Sequence, residues 1–260
     1  MNAEADTPDP IPAATLVVFR KGRAAPEPEI LMTIRSRTMS FAGGMAVFPG
    51  GRVDPEDYEL AAEISGPAGD PEETAHRIAA IRETLEETGL ALGLKGAMDA
   101  QRAASARELL LQKRALGPVL EAFDLALDLD ALTPFARWLP LGLAHNRIFD
   151  TMFYLADLGT GAVDIEVDAT ENTHLFWVSA AEALRMAERG DISLIFPTRR
   201  NLERLAQFAT FDEARDHARQ TPVRVITPEV VEEADGSYLT IPDDLGYPVT
   251  REELTSANRS

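Results

Sequence analysis

The sequence predicts an α/β fold in which a mixed β-sheet lies between helical layers. Three observations carry this. Short runs rich in β-branched and aromatic residues interleave with Ala/Leu/Glu/Arg-rich stretches of helical period. The first two strand-like runs, ATLVVFR from Ala14 and EILMTIRS from Glu29, are separated only by the Gly/Pro-containing KGRAAPEP, and a hairpin of this kind is antiparallel, so the sheet is not purely parallel. Finally, 260 residues that are 45% hydrophobic and 26% charged suffice for one elaborated domain or two small ones.

Taken in order, residues 1–12 are acidic and proline-rich and read as a disordered tail, without the basic start or apolar stretch of a signal peptide. The hairpin follows, and GMAVFPGG from Gly44 adds a strand that Pro49-Gly50-Gly51 ends. DPEDYELAAEISGPAGD from Asp54 allows one short helical turn and then a loop. At Asp70 a helix begins, with Asp70 as N-cap, Pro71 in the first helical position and Glu73 completing a capping box, and it ends at Gly89. Residues from about 100 to 126 form one or two helices. ARWLPLG, FDTMFYLADL and THLFWVS have strand patterning, whereas AAEALRMAERG and TRRNLERLAQF carry apolar i, i+3, i+4 stripes. VRVITPEVVEE and SYLTIP flank Asp235-Gly236, a hairpin signal.

Charge and composition narrow the function. Forty-three acidic against twenty-five basic residues give a formal charge of −18, which repels nucleic-acid phosphates and anionic membranes. The absence of cysteine removes disulfides, thiolate nucleophiles and Cys-ligated zinc. His76, His145, His174 and His217 show no H-x-x-x-H spacing, which disfavours a zinc centre. No apolar run approaches the roughly 20 residues that span a bilayer. The expectation is a cytoplasmic protein with no nucleic-acid or membrane partner.

The chemistry concentrates in RETLEETG. On the predicted helix Glu83, Glu86 and Glu87 stand at i, i+3 and i+4 and share one face, while Ile78, Ile81 and Leu85 lie roughly opposite. Like charges at this spacing cost a few tenths of a kcal/mol per pair, and Arg82 relieves only part of that. Two readings are open from the glutamates alone: a solvated acidic face, or a site for a hard divalent cation that shares its carboxylates with substrate phosphates.

The order of the whole stretch resembles the signature of Nudix hydrolases. PGGR is similar to the glycine turn that opens the signature, and Arg82, Glu83, Glu86, Glu87, Gly89 and Leu90 match its R-E-U-x-E-E-x-G-U half, where U is a bulky apolar residue. Two departures stand out. Thirty-one positions separate Gly51 from Arg82, many more than in the family pattern, so an insertion must loop out. The glutamate that the pattern places ahead of the arginine falls at Thr74, with Glu73 beside it. Leu31, Met32, Thr33, Arg35, Ser36, Gly44, Phe48, Pro49, Gly50 and Gly51 resemble the segment that precedes this box in coenzyme A diphosphatases, with Ser40 where that segment has an arginine. ARWLPLGLAHNRIFDTMFYLAD and PTRRNLERLA are similar to the coenzyme A and acyl-coenzyme A branch.

What the resemblance implies is an α/β/α sandwich with a mixed sheet, a helical insertion and a C-terminal extension. The corresponding division is a Nudix domain over 13–215, with insertions at about 54–70 and 97–133, and an extension over 216–260. The implied activity is hydrolysis of a pyrophosphate in a nucleoside diphosphate linked to another group, with Mg²⁺ or Mn²⁺ as cofactor. Coenzyme A or acyl-coenzyme A is the implied substrate; nucleotide sugars, ADP-ribose or dinucleoside polyphosphates are the alternatives, and a non-catalytic nucleotide sensor the alternative of another class. Glu83 and Glu87 are the first choices as metal ligands, with Glu86 a third ligand or the base, the Gly50 carbonyl a further ligand and Arg82 orienting Glu83 or Glu86. Beyond the box, Glu171 is the candidate acid, with Glu166 behind it. Arg35, Ser36, Gly51 and Arg147 are the substrate-binding candidates, Arg147 being equally suited to a structural salt bridge, and Phe48 reads as core. The partner is a small-molecule nucleotide, and a homodimer is left open.

Overall fold

The structure, a computed structural model, describes residues 9–22, 27–35, 44–67, 69–141, 147–159 and 172–254. Ser36, Ser40, His145, Glu166 and Glu171 lie outside the described residues.

The hairpin forms as its loop predicts: β1 (Ile11–Arg20) pairs antiparallel with β2 (Glu29–Arg35) through Phe19–Ile30 and Arg20–Glu29. Beyond that contact the two strands part company. β2 turns to β3 (Ala46–Val47), and the vacated edge of β1 takes up β4 (Gly50–Arg52), with Ala14 opposite Gly51 and Thr15 opposite Gly50. Pro49-Gly50-Gly51, expected to end a strand, therefore begins another, because Gly50 and Gly51 continue into main-chain pairing with β1.

The chain then runs through α1 (Pro55–Ile64), α2 (Pro71–Thr88), β5 (Leu94–Lys95), α3 (Ala100–Lys113), α4 (Gly117–Ala122), β6 (Ala126–Leu127) and a short 3-10 turn. It re-enters the sheet as β7 (Thr133–Trp138), β8 (Phe149–Asp157) and β9 (Asn172–Val178) and continues as α5 (Ala180–Glu188), α6 (Phe196–Leu205), α7 (Phe211–Gln220) and β10 (Val225–Ile226). A small separate sheet of β11 (Glu229–Glu233), β12 (Gly236–Thr240) and β13 (Arg251–Glu253) ends the described chain. The main sheet runs β10-β7-β8-β1-β2-β3, with β4 on β1 and β9 on β2. β1 with β8 and β10 with β7 are parallel, and the other pairs are antiparallel, so the sheet is mixed.

Period-two alternation along β1 divides the core. Ala14, Leu16 and Val18 face α1 to α4, whereas Val17 and Phe19 face α5 to α7 and the terminal sheet. This is the layered α/β/α arrangement. On α2, Ile78, Ile81 and Leu85 are fully buried on the first of these faces, each worth about 1.5–3 kcal/mol of apolar burial. The opposite side of the helix is left for Glu83, Glu86 and Glu87.

Both ends of α2 fall where the sequence places them. Asp70 accepts from the N–H groups of Glu72 and Glu73 at 3.0 and 3.2 Å, and Gly89 closes the helix at φ 73°, its N–H returning to the Leu85 carbonyl. The Glu73 carboxylate, expected to complete a capping box, instead accepts from Arg77 at 2.7 and 2.9 Å. A larger difference is α1, ten residues of helix where one turn was expected. Pro55 pre-sets its first turn, and the Asp57 carboxylate accepts from the Asp54 N–H at 2.9 Å. Helix α7 was not anticipated at all, and the expected boundary at 215/216 falls inside it. The C-terminal elements share a core with the sheet: Leu239, Ile241, Leu245 and Tyr247 pack with Trp138 and Leu202. No helix among the described residues is long and apolar enough to cross a membrane.

Candidate active site

The two halves of the split motif meet in space. The Gly50 N–H donates to Glu87 Oε2 at 3.2 Å, and the main chain at Gly51 packs so closely on Glu83 that a Cβ there would lie 2.7 Å from Oε2. The insertion of α1 therefore leaves strand β4 and helix α2 in contact. Gly50 makes the contact with its amide; the carbonyl is the group that the sequence put forward as a ligand.

Arg82 ties the halves together. Its Nε and NH2 donate to the two oxygens of Asp57 at 3.0 and 2.9 Å, NH1 donates to Glu83 Oε1 at 2.8 Å, and NH2 also reaches the Arg52 carbonyl at 2.9 Å. Glu86 Oε2 lies 3.8 Å from NH1. Arg82 is 3% exposed, so it is no surface pair. Burial works against its charge, but the hydrogen bonds and charges of Asp57 and Glu83 outweigh that and hold its pKa above the usual arginine value. Burial likewise raises the Glu83 carboxyl, against the pull of Arg82, and the neighbouring Glu86 charge adds to the rise. Burial also raises Asp57, with Arg82 opposing.

All three glutamates line one cavity of about 760 Å³. Its other walls bring in Arg35 from the end of β2 and Arg147 from the segment before β8, so the sequence candidates for metal and for phosphate face the same space. Arg35 Nε is buried without a hydrogen-bond partner among the described residues, which is the condition of a donor awaiting an acceptor. Arg147 is exposed. Phe48, read as core, is 3% exposed and packs edge-on against Phe153, yet it also contributes to the cavity wall.

Arg107 and Asp57 were missed by sequence reasoning. Arg107, on α3, lines the cavity and donates from Nε to the Glu86 carbonyl at 2.7 Å. The signal for Asp57 was the count from the glycine end: the pattern places its acid six positions after the glycine, and six positions after Gly51 is Asp57, whereas the count back from Arg82 crosses the insertion and lands on Thr74.

The donor set suits a hard cation, being carboxylate oxygen on one helix face beside a glycine strand that leaves room. Among the described residues no three acid or histidine side chains form a ready-made metal cage. That is compatible with Mg²⁺-type binding, which needs only one or two carboxylates together with waters and substrate phosphates.

Comparison with known proteins gives the family. The family described as the NUDT19 Nudix domain matches residues 62–205, more than half of the chain. The chain belongs to the Nudix hydrolase family. It is similar to the acyl-coenzyme A diphosphatase NUDT19 of Gallus gallus, 28% identical over 289 aligned positions that cover 87% of this chain and 76% of that protein. Among solved structures it resembles a Nudix hydrolase from Alicyclobacillus acidocaldarius, at 29% identity and a TM-score of 0.68, covering 80% of this chain and 96% of that one. The Nudix fold and these relatives make the chain a pyrophosphohydrolase.

Proposed function

We propose that this Nudix enzyme cleaves the pyrophosphate of coenzyme A or acyl-coenzyme A with the help of Mg²⁺ or Mn²⁺. The observation that carries the reading is the contact of β4 with the Glu83–Glu87 face across the insertion, on the wall of a cavity that also holds Arg35 and Arg147. The similarity to the avian acyl-coenzyme A diphosphatase favours this substrate over other diphosphates.

In this reading Glu83 and Glu87 hold the cation, with the Gly50 carbonyl and Glu171 as further ligands. When bound, a divalent cation neutralises pyrophosphate charge and lowers the pKa of a bound water. Glu86, at 28% exposure more open than Glu83 at 16%, accepts the proton of the attacking water. Arg82 keeps Glu83 aimed by a charge-assisted hydrogen bond. Arg35, Ser36 and Arg147 meet the phosphates, and Gly51 gives them room beside the carboxylates. In this reading residues 13–215 form the catalytic unit, and the described part of the extension, 216–254, packs onto it.

The test is incubation of the purified protein with Mg²⁺ or Mn²⁺ and a panel of coenzyme A, acyl-coenzyme A, ADP-ribose, nucleotide sugars and dinucleoside polyphosphates, with products identified by mass spectrometry. Adenosine 3′,5′-bisphosphate together with 4′-phosphopantetheine or its acyl form is the expected outcome. Turnover confined to another member of the panel overturns the substrate, and undiminished turnover in Glu87→Gln overturns the metal assignment.

A further inference from the structure

Among the described residues the acids of the cavity wall are Glu83, Glu86 and Glu87, and they stand at one end of it, against the glycine strand β4. The other end is built from Trp138 and Pro140 at the close of β7, Phe149 on β8, Pro197 and Thr198 at the start of α6, and Arg147. We propose that this far end receives the adenosine half of the substrate, and that Thr198, the open N-terminus of α6 and Arg147 bind its 3′-phosphate. The proposal rests on the reading of the substrate as coenzyme A or acyl-coenzyme A.

The register of the sheet separates the two ends. Arg52 on β4 stands opposite Ala13 on β1, Ala13 opposite Thr151 on β8, and Thr151 opposite Trp138 on β7. Three strand spacings of about 4.8 Å therefore put Trp138 about 14 Å from the glycine strand. The side chains between them, Ala13 and Thr151, are small, so a pyrophosphate held at the glutamates has open floor on which its nucleoside can extend. Trp138 closes that floor. Its Nε1–H donates to Asn201 Oδ1 at 3.2 Å and to the Tyr247 hydroxyl at 3.3 Å, two groups outside the cavity wall. With Phe149 and Pro197 it makes the far wall apolar, as the faces of a base and a ribose require.

The same end also carries donors for an anion. The first N–H groups of a helix have no partner within it. Ile195, ahead of α6, gives them no side-chain cap, and Pro197 brings no N–H, so Phe196 and Thr198 carry the donors of the first turn at the positive end of the helix dipole. A helix start alone is an ordinary feature; Thr198 makes this one a site. It is 2% exposed and lines the cavity, and its hydroxyl makes no hydrogen bond among the described residues, the condition of a polar group built to meet a ligand. Arg147, exposed at the same end, makes no ion pair among the described residues. The pantetheine arm is uncharged and has no use for such donors, whereas the 3′-phosphate is a dianion joined directly to the ribose.

The experiment compares coenzyme A with 3′-dephospho-coenzyme A, which differ in that phosphate alone, by kcat/KM in the parent, Thr198→Val and Arg147→Met, with circular dichroism to confirm folding. The parent is expected to favour coenzyme A by about 10- to 100-fold, the worth of one charge-assisted hydrogen bond. T198V keeps the shape of the buried side chain and removes its hydroxyl, and R147M removes a charge at an exposed position where folding does not depend on it. Each should lower the preference by about three- to tenfold. General damage to the enzyme lowers kcat/KM for both compounds alike and leaves their ratio, so the ratio reads the contact itself. An undiminished preference in either folded variant overturns the proposal, and where T198V does not fold R147M decides. Equal kcat/KM for the two compounds in the parent overturns the proposal alone. Hydrolysis of neither, beside turnover of another diphosphate, overturns the coenzyme A reading and the proposal together.

Discussion

Gly51 lies directly against the carboxyl group of Glu83: a Cβ at position 51 would sit 2.7 Å from Oε2 and closer still to Cδ and Oε1. The neighbouring Gly50 is crowded differently, because a Cβ there would collide with the Ala14 carbonyl and lie 2.7 Å from Thr15 Cα. One glycine makes room for a flexible acid, the other for a paired main chain.

The first prediction separates these roles. In Gly51→Ala the Glu83 side chain can swing away, so the melting temperature should stay within a few degrees of the parent while turnover and Mn²⁺ binding fall sharply. In Gly50→Ala neither the β1 backbone nor the residue's own φ of 157° can adjust freely. Stability should therefore drop by about 1–3 kcal/mol. Melting curves and kinetics of the two purified variants decide the matter, and the reverse pattern would mean that Gly51 serves the sheet and Gly50 the site.

The second prediction concerns Arg107. Its Nε is committed to the Glu86 carbonyl at 2.7 Å, which places a guanidinium on the cavity wall beside the carboxylates. A cation there meets a substrate phosphate in ground and transition states alike, so Arg107→Ala should raise KM by roughly tenfold, about the worth of one charge-assisted hydrogen bond, with kcat nearly unchanged. Steady-state kinetics with coenzyme A suffices, and an unaltered KM removes Arg107 from the substrate site.

Asp57 and Arg107 also show where helical periodicity stops being informative. Glu83, Glu86 and Glu87 were legible because helical period places them on one face, and Ile78, Ile81 and Leu85 because the same period buries them. The capped ends at Asp70 and Gly89 carry their own local chemistry. Asp57 meets Arg82 across 25 positions and Arg107 meets Glu86 across 21, and no periodicity within one element encodes such pairs. Helix α7 escaped for another reason: its buried positions are Ala214 and Ala218, too small to stand out as an apolar stripe. In α1 only Asp57 and Ala61 are buried, which hid a ten-residue helix behind an acidic surface pattern.

The third prediction follows from Arg77. Its NH1 donates to the carbonyls of Leu129 and Leu132 at 2.6 and 2.8 Å, and its remaining nitrogens to Glu73, over the ring of Tyr154. This arginine fastens the end of the second insertion to α2 without touching the cavity. Arg77→Ala removes a donor from two carbonyls, of which that of Leu129 keeps its bond from the Leu132 N–H, and should cost about 1–3 kcal/mol in urea unfolding, while kcat/KM at low temperature stays near the parental value. A large loss of activity with parental stability would overturn this division of labour.

The fourth prediction is a pH dependence located at His217, on α7. Its Nε2 accepts from Arg204 Nε at 3.3 Å and its ring lies 4.8 Å from that of Phe208, while Gly246 leaves no space behind it, a Cβ there falling 2.7 Å from Cε1. An Nε2 that accepts this bond carries no proton, so the bond requires a neutral imidazole protonated on Nδ1. Burial, and then the Arg204 charge, lower its pKa from the usual value of 6.5. The folded state binds this proton more weakly than the unfolded chain does, so the contribution of His217 is complete above the unfolded pKa and is lost as pH falls through the folded one. Burial raises the carboxyls of Asp57, Glu83 and Glu203, and these act in the opposite sense, since acidification relieves the cost of keeping them charged. The histidine's share is therefore isolated only by difference. Melting temperatures of the parent and of His217→Gln, measured from pH 7.5 down to pH 5, should converge as the pH falls, because the parent alone has to carry a second cation beside Arg204. Curves that run parallel over that range would place the pH sensitivity of this corner elsewhere.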